Sequence, residues 1–600
     1  MTAFTCEQIR LAAETVERVL GRPLPCVPEV TAGEELRIDW EGQTAKIAAP
    51  DMPALCRAFF LLTQAAMDGK TSACITETRH IESCGAFIDT ARGAVMTVEA
   101  CKRYIDRLAV LGLNLFVIYM EVTYTVPEYP YFGHYLGRYT PEELKAIDDY
   151  GAALGIEVLP QIQTLAHLGQ FLQWKEDEHL KDTMYCLLAD EEETYAFIED
   201  EIRSIRACFR TNRLHIGMDE AHWMGLQRYY SKHGAVDRFE LLQRHLKRVT
   251  DICAKYDFHP MMWSDMFFRL GSRNNEYYDL ESHVPQSVID NLPDVDLVYW
   301  DYYHTEPEWY EHMLSEHERM GRNTVFAGGV WTWSGFLPHV EWNDATMYPA
   351  LRACAAHHIK TVIATMWGDD GNETDYFLAL PQVAIFSEFC WRGTECTEAE
   401  VRHAGETVSG LPWEAYDGFG HFYRGAEDDR TGKGLIYCDL LYHLLPGNPD
   451  LNAAVRRYEE GLQMIACAPD NAQCSYARAL FDVAILKART IPAIREAYAA
   501  GDREALRGIA EKDIPQLLKL YEQLYTEHRK QWLASYKRNG WETFALRYGA
   551  VTGRLRDVAL TLTEYADGLT GSIAELDEPA LEPTRRGGMQ WYDVYVSPRM

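Results

Sequence analysis

The pattern of hydrophobic and polar positions changes twice along the chain, and residues 1–82 form the first of three parts. A helical periodicity over Gln8–Leu20 is followed by a strand-like alternation over Glu35–Ile47 and a second helical periodicity over Pro53–Met67. This order of elements predicts a small α/β domain. We expect no catalytic or ligand-binding residues in it.

Residues 83–395 alternate between short, nearly continuous apolar segments and longer helical ones, a pattern typical of parallel strands buried on both faces. Eight such units over roughly 300 residues predict a (β/α)8 TIM barrel. A doubly wound open sheet would need a glycine-rich turn after its first strand, and the turn that begins at Asp89 is not of that kind. The predicted strands are Gly85–Asp89, Asn114–Tyr119, Glu157–Gln161, Arg213–Met218, Pro260–Trp263, Val295–Trp300, Thr324–Gly328 and Thr361–Met366.

Residues 396–600 lose the strand pattern and show amphipathic helical stretches, which predict a mostly α-helical C-terminal domain. Three domains also suit the length, because a single core stops growing beyond roughly 250–300 residues.

Charge and cysteine usage narrow the function classes. The chain has 58 Lys and Arg against 90 Asp and Glu, a net charge of −32, so we expect neither nucleic acid nor a membrane surface as a partner. The 15 cysteines are scattered singly, and the N-terminal residues lack the pattern of a secretion signal. We therefore expect a cytoplasmic protein with reduced thiols.

The residues that follow the predicted strands are mostly carboxylates and aromatic side chains. In a TIM barrel these positions form the functional rim. Aromatic walls with hydrogen-bonding acids suit a pyranose sugar, whereas a phosphate site would show glycines and cations and a metal site a histidine-rich cluster. We expect no metal and no cofactor. The rim residues are Arg92, Glu121, Tyr124, Gln161, Gln163, His167, Asp219, Glu220, Trp263, Asp265, Tyr299, Asp301, Trp331, Trp333, Trp367, Asp369 and Glu373.

The fourth predicted strand ends in two adjacent acids, Asp219 and Glu220. Adjacent residues at an extended strand end point in opposite directions, so the two carboxylates can flank different parts of one ligand. A glycosidase needs a general acid to protonate the leaving oxygen and a second group to support a cationic transition state.

The segment that holds these acids has the form His-x-Gly-x-Asp-Glu, carried by His215, Gly217, Asp219 and Glu220. It resembles the signature of glycoside hydrolase family 20, the β-N-acetylhexosaminidases, and the resemblance covers about residues 85 to 390. The N-terminal domain resembles the small non-catalytic domain that often precedes the family's barrel. The helical C-terminal part is similar to a bacterial, cytoplasmic-type subgroup of exo-acting hexosaminidases.

The resemblance implies an exo-acting enzyme that releases terminal β-linked GlcNAc or GalNAc from small glycans or glycoconjugates. It implies a retaining mechanism in which the substrate's own acetamide is the nucleophile and an oxazolinium ion forms. Glu220 would be the general acid/base, and Asp219 would orient the acetamide and offset its positive charge.

The resemblance also implies sugar-binding roles for residues on most strands. Arg92 would bind the 3- and 4-hydroxyls. Tyr299 and Asp301 would hold the acetamide oxygen and an outer hydroxyl, and Tyr302 or Tyr303 would replace Tyr299 if that strand ends later. The other substrate-binding residues would be His167, Trp263, one or both of Trp331 and Trp333, Trp367, Asp369 and, ranked after Asp369, Glu373.

One departure from the family concerns the third strand, where the family has Pro-Glu-x-Asp and this chain has Pro160, Gln161 and Gln163. His167 thereby loses its expected acidic support. Two other functions stay open at this point: a barrel glycosidase with its own nucleophile, Glu121 or Asp265, and a carbohydrate-binding protein without catalysis. A monomer and a homodimer are both compatible with the sequence.

Overall fold

The N-terminal part folds as a four-stranded sheet with two helices. The structure, a computed structural model, describes residues 3–333, 335–423, 431–442, 445 and 449–579, except for the side chain at 370. The sheet has the order β1-β3-β2-β4, in which β1 and β3 are parallel and the other pairs antiparallel. Its elements are α1 (Cys6–Leu20), β1 (Glu29–Ala32), β2 (Leu36–Glu41), β3 (Thr44–Ala49), α2 (Met52–Met67) and β4 (Ser72–Glu77).

A buried ion-pair network joins this unit to the rest of the molecule. Arg57 of α2 is fully buried and pairs with Glu77 of β4 at 2.6 Å and with Glu388 at 2.9 Å. Burial opposes the charge on Arg57, but the two carboxylates outweigh it and raise the pKa of the guanidinium. The network therefore ties the N-terminal sheet to the helix that contains Glu388.

The middle of the chain is a closed barrel of eight parallel strands, which confirms the predicted TIM barrel. The strands are β5 (Ser83–Asp89), β6 (Leu115–Glu121), β7 (Glu157–Ile162), β8 (Arg213–His215), β9 (His259–Trp263), β10 (Asp296–Asp301), β11 (Thr324–Gly329) and β12 (Thr361–Met366). The helices along this part are α3 (Val98–Val110), α4 (Pro141–Ala153), α5 (Gly169–Leu172), α6 (Glu192–Arg206), α7 (Arg228–His233), α8 (Arg238–Lys255), α9 (Asp265–Gly271), α10 (Gln286–Asp290), α11 (Pro307–Arg319), α12 (Val340–Ala356) and α13 (Leu380–Arg392).

Side chains alternate between the barrel interior and the surrounding helices. On β10, Val298 packs in the interior cluster with Tyr119 and Trp263, whereas Tyr299 packs in the outer core. Because the side-chain period of a strand is two, this alternation decides which residues beyond each strand can reach the pocket above the barrel.

The C-terminal part is helical, as predicted, and packs against the loops that follow β11 and β12. Within the described ranges, no helix has the length and apolar character needed to cross a bilayer. The predicted domain boundaries at 82/83 and 395/396 stay a prediction. The helices are α14 (Glu398–Ser409), α15 (Trp413–Gly420), α16 (Thr431–Tyr437), α17 (Leu451–Met464), α18 (Ala472–Ala499), α19 (Arg503–Gly508), α20 (Ile514–Ser535), α21 (Trp541–Ala566) and α22 (Ala574–Asp577).

Candidate active site

The loop after β8 presents the two acids through an unusual backbone. β8 ends at His215, three residues earlier than the sequence suggests, and Gly217, Met218 and Glu220 have φ angles of 71°, 71° and 51°. A Cβ on Gly217 would lie 2.1 Å from Oε1 of Gln163. Glycine is therefore required at this position, because any side chain would collide with Gln163.

Asp219 is buried and held as a carboxylate. Its Oδ1 accepts a hydrogen bond of 2.7 Å from Nε2 of Gln163, and its Oδ2 lies 3.2 Å from Nε2 of His167. Burial opposes ionisation, but the charge and contact of His167 and the hydrogen bond from Gln163 outweigh it, so the pKa of Asp219 is lowered.

Glu220 lies beside Asp219 but is open to solvent. Its side chain is 40% exposed, and its Oε2 lies 3.5 Å from His167. Its backbone N–H donates to Oδ2 of the buried Asp265 at 2.9 Å. One carboxylate is thus buried and fixed, whereas the other remains accessible to a ligand and to water.

The two acids open onto a pocket above the barrel, with about 470 Å³ of empty volume including its open mouth. Its walls combine aromatic rings with charged groups, as expected for a sugar site. The lining residues are Arg92, His167, Asp219, Glu220, Trp263, Trp300, Tyr302, Tyr303, Trp333, Trp367 and Asp369.

Arg92 is the cation on the side of the pocket formed by β5 and β6. Its guanidinium pairs with Asp89 and Glu121, each at 3.2 Å, and lies 5.3 Å from the ring centre of Trp367. Because both carboxylates fix the side chain, the remaining N–H groups point in defined directions. Arg92 can therefore donate to vicinal hydroxyls, the role that the resemblance implies.

Indole and phenol rings enclose the opposite side. The indole N–H of Trp367 donates to the hydroxyl oxygen of Tyr302 at 3.0 Å, and Tyr302 and Trp333 meet edge to face. This arrangement forms a rigid aromatic enclosure that fits an apolar sugar face or an acetamide methyl group.

The barrel matches the model of a known protein family. The model of the glycosyl hydrolase family 20 catalytic domain matches residues 84–394, just over half of the chain. The chain belongs to glycosyl hydrolase family 20. A second model, the glycoside hydrolase 20C C-terminal domain, matches residues 423–592.

Individual relatives of the family 20 chain are distant. The β-hexosaminidase subunit alpha of Mus musculus is 22% identical over 210 residues, which cover 30% of this chain and 39% of that protein. The chitooligosaccharidolytic β-N-acetylglucosaminidase of Bombyx mori is 27% identical over 161 residues, covering 23% of this chain and 26% of that protein. The chain thus spans well under half the length of either relative.

A solved family 20 structure shares the fold. The β-N-acetylhexosaminidase of Streptomyces coelicolor A3(2) superposes with a TM-score of 0.51 at 18% identity, covering 68% of this chain and 90% of that one. The similarity supports the barrel architecture of this family 20 chain.

The structure brings eight of the predicted site residues to the pocket, and their roles stay predictions. Tyr299 and Asp301 are not among them, because they face away from the barrel interior. Tyr299 stacks on His317 and donates a hydrogen bond of 2.7 Å to Asp301. Asp301 in turn accepts from the backbone N–H of Tyr303 at 3.0 Å and so shapes the loop. The eight pocket residues are Arg92, His167, Asp219, Glu220, Trp263, Trp333, Trp367 and Asp369.

The residues that replace Tyr299 follow from the alternation of β10. Because Val298 faces the interior, Trp300 and Tyr302 do as well, and both line the pocket together with Tyr303. Tyr302 and Tyr303 are the two residues that the sequence leaves open as replacements for Tyr299. Trp300 was missed, although the same alternation could have indicated it.

Trp331 also lies outside the pocket. It is fully buried, stacks on Trp333 with ring centres 4.3 Å apart, and donates its indole N–H to the carbonyl of Tyr302 at 3.1 Å. Of the two predicted indoles, only Trp333 lines the pocket. Trp331 supports it from behind.

Glu373, predicted to bind sugar, is instead buried against the C-terminal domain. Its carboxylate pairs with Arg547 at 2.8 Å and Lys433 at 3.1 Å, and it accepts a hydrogen bond of 3.3 Å from Tyr437. A sequence-local pattern could not reveal these partners, because they lie 60 or more residues away. Glu373 therefore anchors the loop after β12, which also carries Asp369.

We expect Glu373→Gln to lower the free energy of unfolding by about 3 kcal/mol, because it leaves buried cations without their counter-charge. Denaturant unfolding measures this loss. Glu395→Gln, at an exposed carboxylate, is the control and should change stability by less than about 0.5 kcal/mol. A variant of normal stability with a strongly raised KM would restore Glu373 to the sugar-binding residues.

The carboxylates beside His167 come from β6 and from the loop after β8, whereas the family pattern has them on the third strand of the barrel. Its Nε2 lies 3.2 Å from Asp219, and its Nδ1 lies 3.8 Å from Glu121 of β6. Burial lowers the pKa of His167, but three nearby carboxylates, led by that of Asp219, outweigh it and raise that pKa to about 9. The imidazole is therefore charged at neutral pH and keeps Asp219 ionised.

This raised pKa predicts a pH dependence of stability. An unfolded histidine titrates near 6.5, so the stabilisation from charged His167 is complete below about pH 6.5 and is lost as pH rises toward about 9. Between pH 6 and pH 9 the free energy of unfolding should therefore fall by roughly 1–3 kcal/mol less in His167→Gln than in the wild type. Denaturant unfolding at pH 6, 7.5 and 9 measures this difference. Equal declines in both proteins would contradict a charged His167.

Proposed function

We propose that the chain is an exo-acting β-N-acetylhexosaminidase that removes terminal β-linked GlcNAc or GalNAc with retention of configuration. The observation that carries this proposal is the pair formed by the buried, ionised Asp219 and the accessible Glu220 in one aromatic-walled pocket. Hydrolysis of an acetamido sugar by this mechanism needs two carboxylates in two different roles.

Glu220 would act first as general acid and then as general base. Its exposed carboxyl can protonate the glycosidic oxygen as the bond breaks and later remove a proton from the incoming water. The acetamide carbonyl oxygen of the substrate attacks the anomeric carbon between these steps and forms the oxazolinium ion. Asp219 faces the acetamide nitrogen, where positive charge develops, and stabilises it without any rearrangement.

Two carboxylates that could have served as an enzyme nucleophile are poorly suited to it. Burial and the nearby charges of Asp219 and Glu220 raise the pKa of Asp265 well above its ordinary value, which favours the neutral acid. Glu121 is paired with Arg92, and neither Glu121 nor Asp265 lines the pocket in the described part of the chain. These features favour substrate assistance over a second enzyme carboxylate.

The aromatic enclosure would hold the acetamide in position before the chemical step. Trp263, Trp333 and Trp367 line the same pocket as Asp219, so a bent acetamide would fit between the rings and the carboxylate. Fixing this geometry in advance lowers the entropic part of the activation barrier, because the nucleophile and the anomeric carbon are already oriented.

The test compares 4-nitrophenyl β-glycosides of GlcNAc, GalNAc and glucose with the purified protein. Turnover of the acetamido sugars without turnover of the glucoside supports the proposal. Comparable turnover of the glucoside would indicate an enzyme nucleophile, and no turnover of any of the three would favour a binding protein. The ratio between GlcNAc and GalNAc gives the epimer preference.

The proposal also places the enzyme in the cytoplasm. All fifteen cysteines are free thiols, and most of them are buried, as in a protein that folds under reducing conditions. Activity measured in cell fractions would check this. The expectations on nucleic acid, membranes and a homodimer stay predictions, which binding assays and sedimentation would check.

A further inference from the structure

A second group of polar residues lies beside Glu220, outside the sugar pocket, and the charge of Glu220 affects Tyr185, His222 and Tyr277. We call it the outer cluster and define it as Tyr185, His222, Arg269 and Tyr277. The hydroxyl of Tyr277 lies 2.7 Å from Nε2 of His222, and its ring contacts that of Trp300 in the pocket wall, with centres 5.3 Å apart. The cluster therefore continues the pocket outward.

Arg269 is the distinctive member of the outer cluster. It lies near the end of α9, partly buried, with its guanidinium carbon 4.9 Å from the ring centre of Tyr277. Within the ranges that the structure describes, its guanidinium has no hydrogen bond or ion pair. In a chain with a net charge of −32, a partly buried arginine without a carboxylate partner is unexpected.

The charged groups around Arg269 include a second cation. Arg238 is a close cation: burial, followed by the charge of Arg269, lowers its pKa, and its own hydrogen bonds go to the backbone carbonyls of Ala221 and His222. Glu220 is the accessible carboxylate nearby, and Asp265 favours its neutral form. When Glu220 is protonated to act as general acid, it offers no negative charge to Arg269 or Arg238.

The position of the cluster relative to the reaction follows from the role of Glu220. A general acid must reach the glycosidic oxygen, so the leaving group lies on its side of the pocket. Tyr185 lies close enough to both Glu220 and Arg269 for their charges to affect its phenol, whose pKa burial raises to about 12. The groups around Glu220 are therefore those that a leaving sugar meets.

We propose that Arg269 binds an anionic leaving group, so that the preferred substrates carry the terminal N-acetylhexosamine on a sugar with a carboxylate. This inference rests on the proposed hexosaminidase function and adds the chemical class of the leaving group. The guanidinium offers several N–H donors to a carboxylate, and the rings of Tyr277 and Tyr185 flank the leaving sugar.

The experiment uses disaccharides that differ in one group. GlcNAc β-1,3-linked to glucuronate is compared with GlcNAc β-1,3-linked to glucose, and GlcNAc β-1,4-linked to 3-O-lactyl-GlcNAc with the same disaccharide lacking the lactyl group. We expect kcat/KM to be at least about tenfold higher for one of the two carboxylated substrates than for its neutral partner, because a charge-assisted hydrogen bond has about this worth. The pair that shows the preference identifies the position of the carboxylate.

Variants separate leaving-group binding from an effect on Glu220. Arg269→Met should abolish the preference for the carboxylated substrate, mainly through KM, and Arg269→Lys should restore part of it. Arg273→Met removes an exposed cation in the following loop and should leave the preference intact. No preference in the wild type, or an equal loss on charged and neutral substrates in Arg269→Met, would overturn the proposal.

The two proposals fail in distinguishable ways. If Arg269 does not bind the leaving group, 4-nitrophenyl GlcNAc is still hydrolysed. If the proposed function is wrong, 4-nitrophenyl GlcNAc is not hydrolysed.

Discussion

Glu220→Gln is expected to lower kcat/KM for a GlcNAc disaccharide by about 10²–10⁴-fold, the usual contribution of a general acid or base. The glutamine keeps the backbone hydrogen bond to Asp265 but cannot protonate the leaving oxygen. A 2,4-dinitrophenyl glycoside, which needs little protonation, should lose far less in the bond-breaking step. Steady-state and pre-steady-state kinetics on both substrates measure this difference.

The control for Glu220→Gln is Glu276→Gln, which removes an exposed carboxylate from the loop after α9. It should leave both substrates within twofold of the wild type. Equal losses on the disaccharide and the activated glycoside in Glu220→Gln would contradict the acid assignment, because a good leaving group depends less on protonation.

Asp219→Asn is expected to lower kcat by about 10²–10³-fold with the fold retained. The amide preserves the size of the side chain but removes the negative charge that would face the acetamide nitrogen. It also removes the carboxylate that contributes most to raising the pKa of His167, so that pKa should fall below about 9.

Kinetics, thermal unfolding and NMR titration of His167 would follow the Asp219→Asn variant. Near-normal turnover would exclude Asp219 from the mechanism. A loss of activity that merely follows a loss of folded protein would assign it a structural role.

The sequence predicts the barrel well because its signal is repeated and local. Each strand is a short apolar run followed by a helical pattern, and the glycine of the motif, Gly217, marks a position where a side chain would collide with Gln163. The same local signal places the end of β8 three residues too late and assigns Tyr299 and Asp301 of β10 to the wrong face of the strand. A shift of one residue in that strand decides between Tyr299 and Tyr302.

Residues that depend on distant partners were beyond such patterns. Glu373 follows a barrel strand as a sugar ligand would, but Lys433 and Arg547 of the C-terminal domain pair with it. Gln163 departs from the acidic family pattern, yet in the structure its amide donates a hydrogen bond to Asp219. Both roles depend on tertiary contacts that a single sequence does not display.

The central claim is that the substrate's acetamide acts as the nucleophile. Its most direct test is the hydrolysis of 4-nitrophenyl β-glucosaminides whose N-acyl group carries zero, one, two or three fluorines. Each fluorine makes the carbonyl oxygen a weaker nucleophile while changing the size of the group little. The account predicts that kcat/KM falls steeply with every added fluorine, and a rate that stays constant across the series would contradict it.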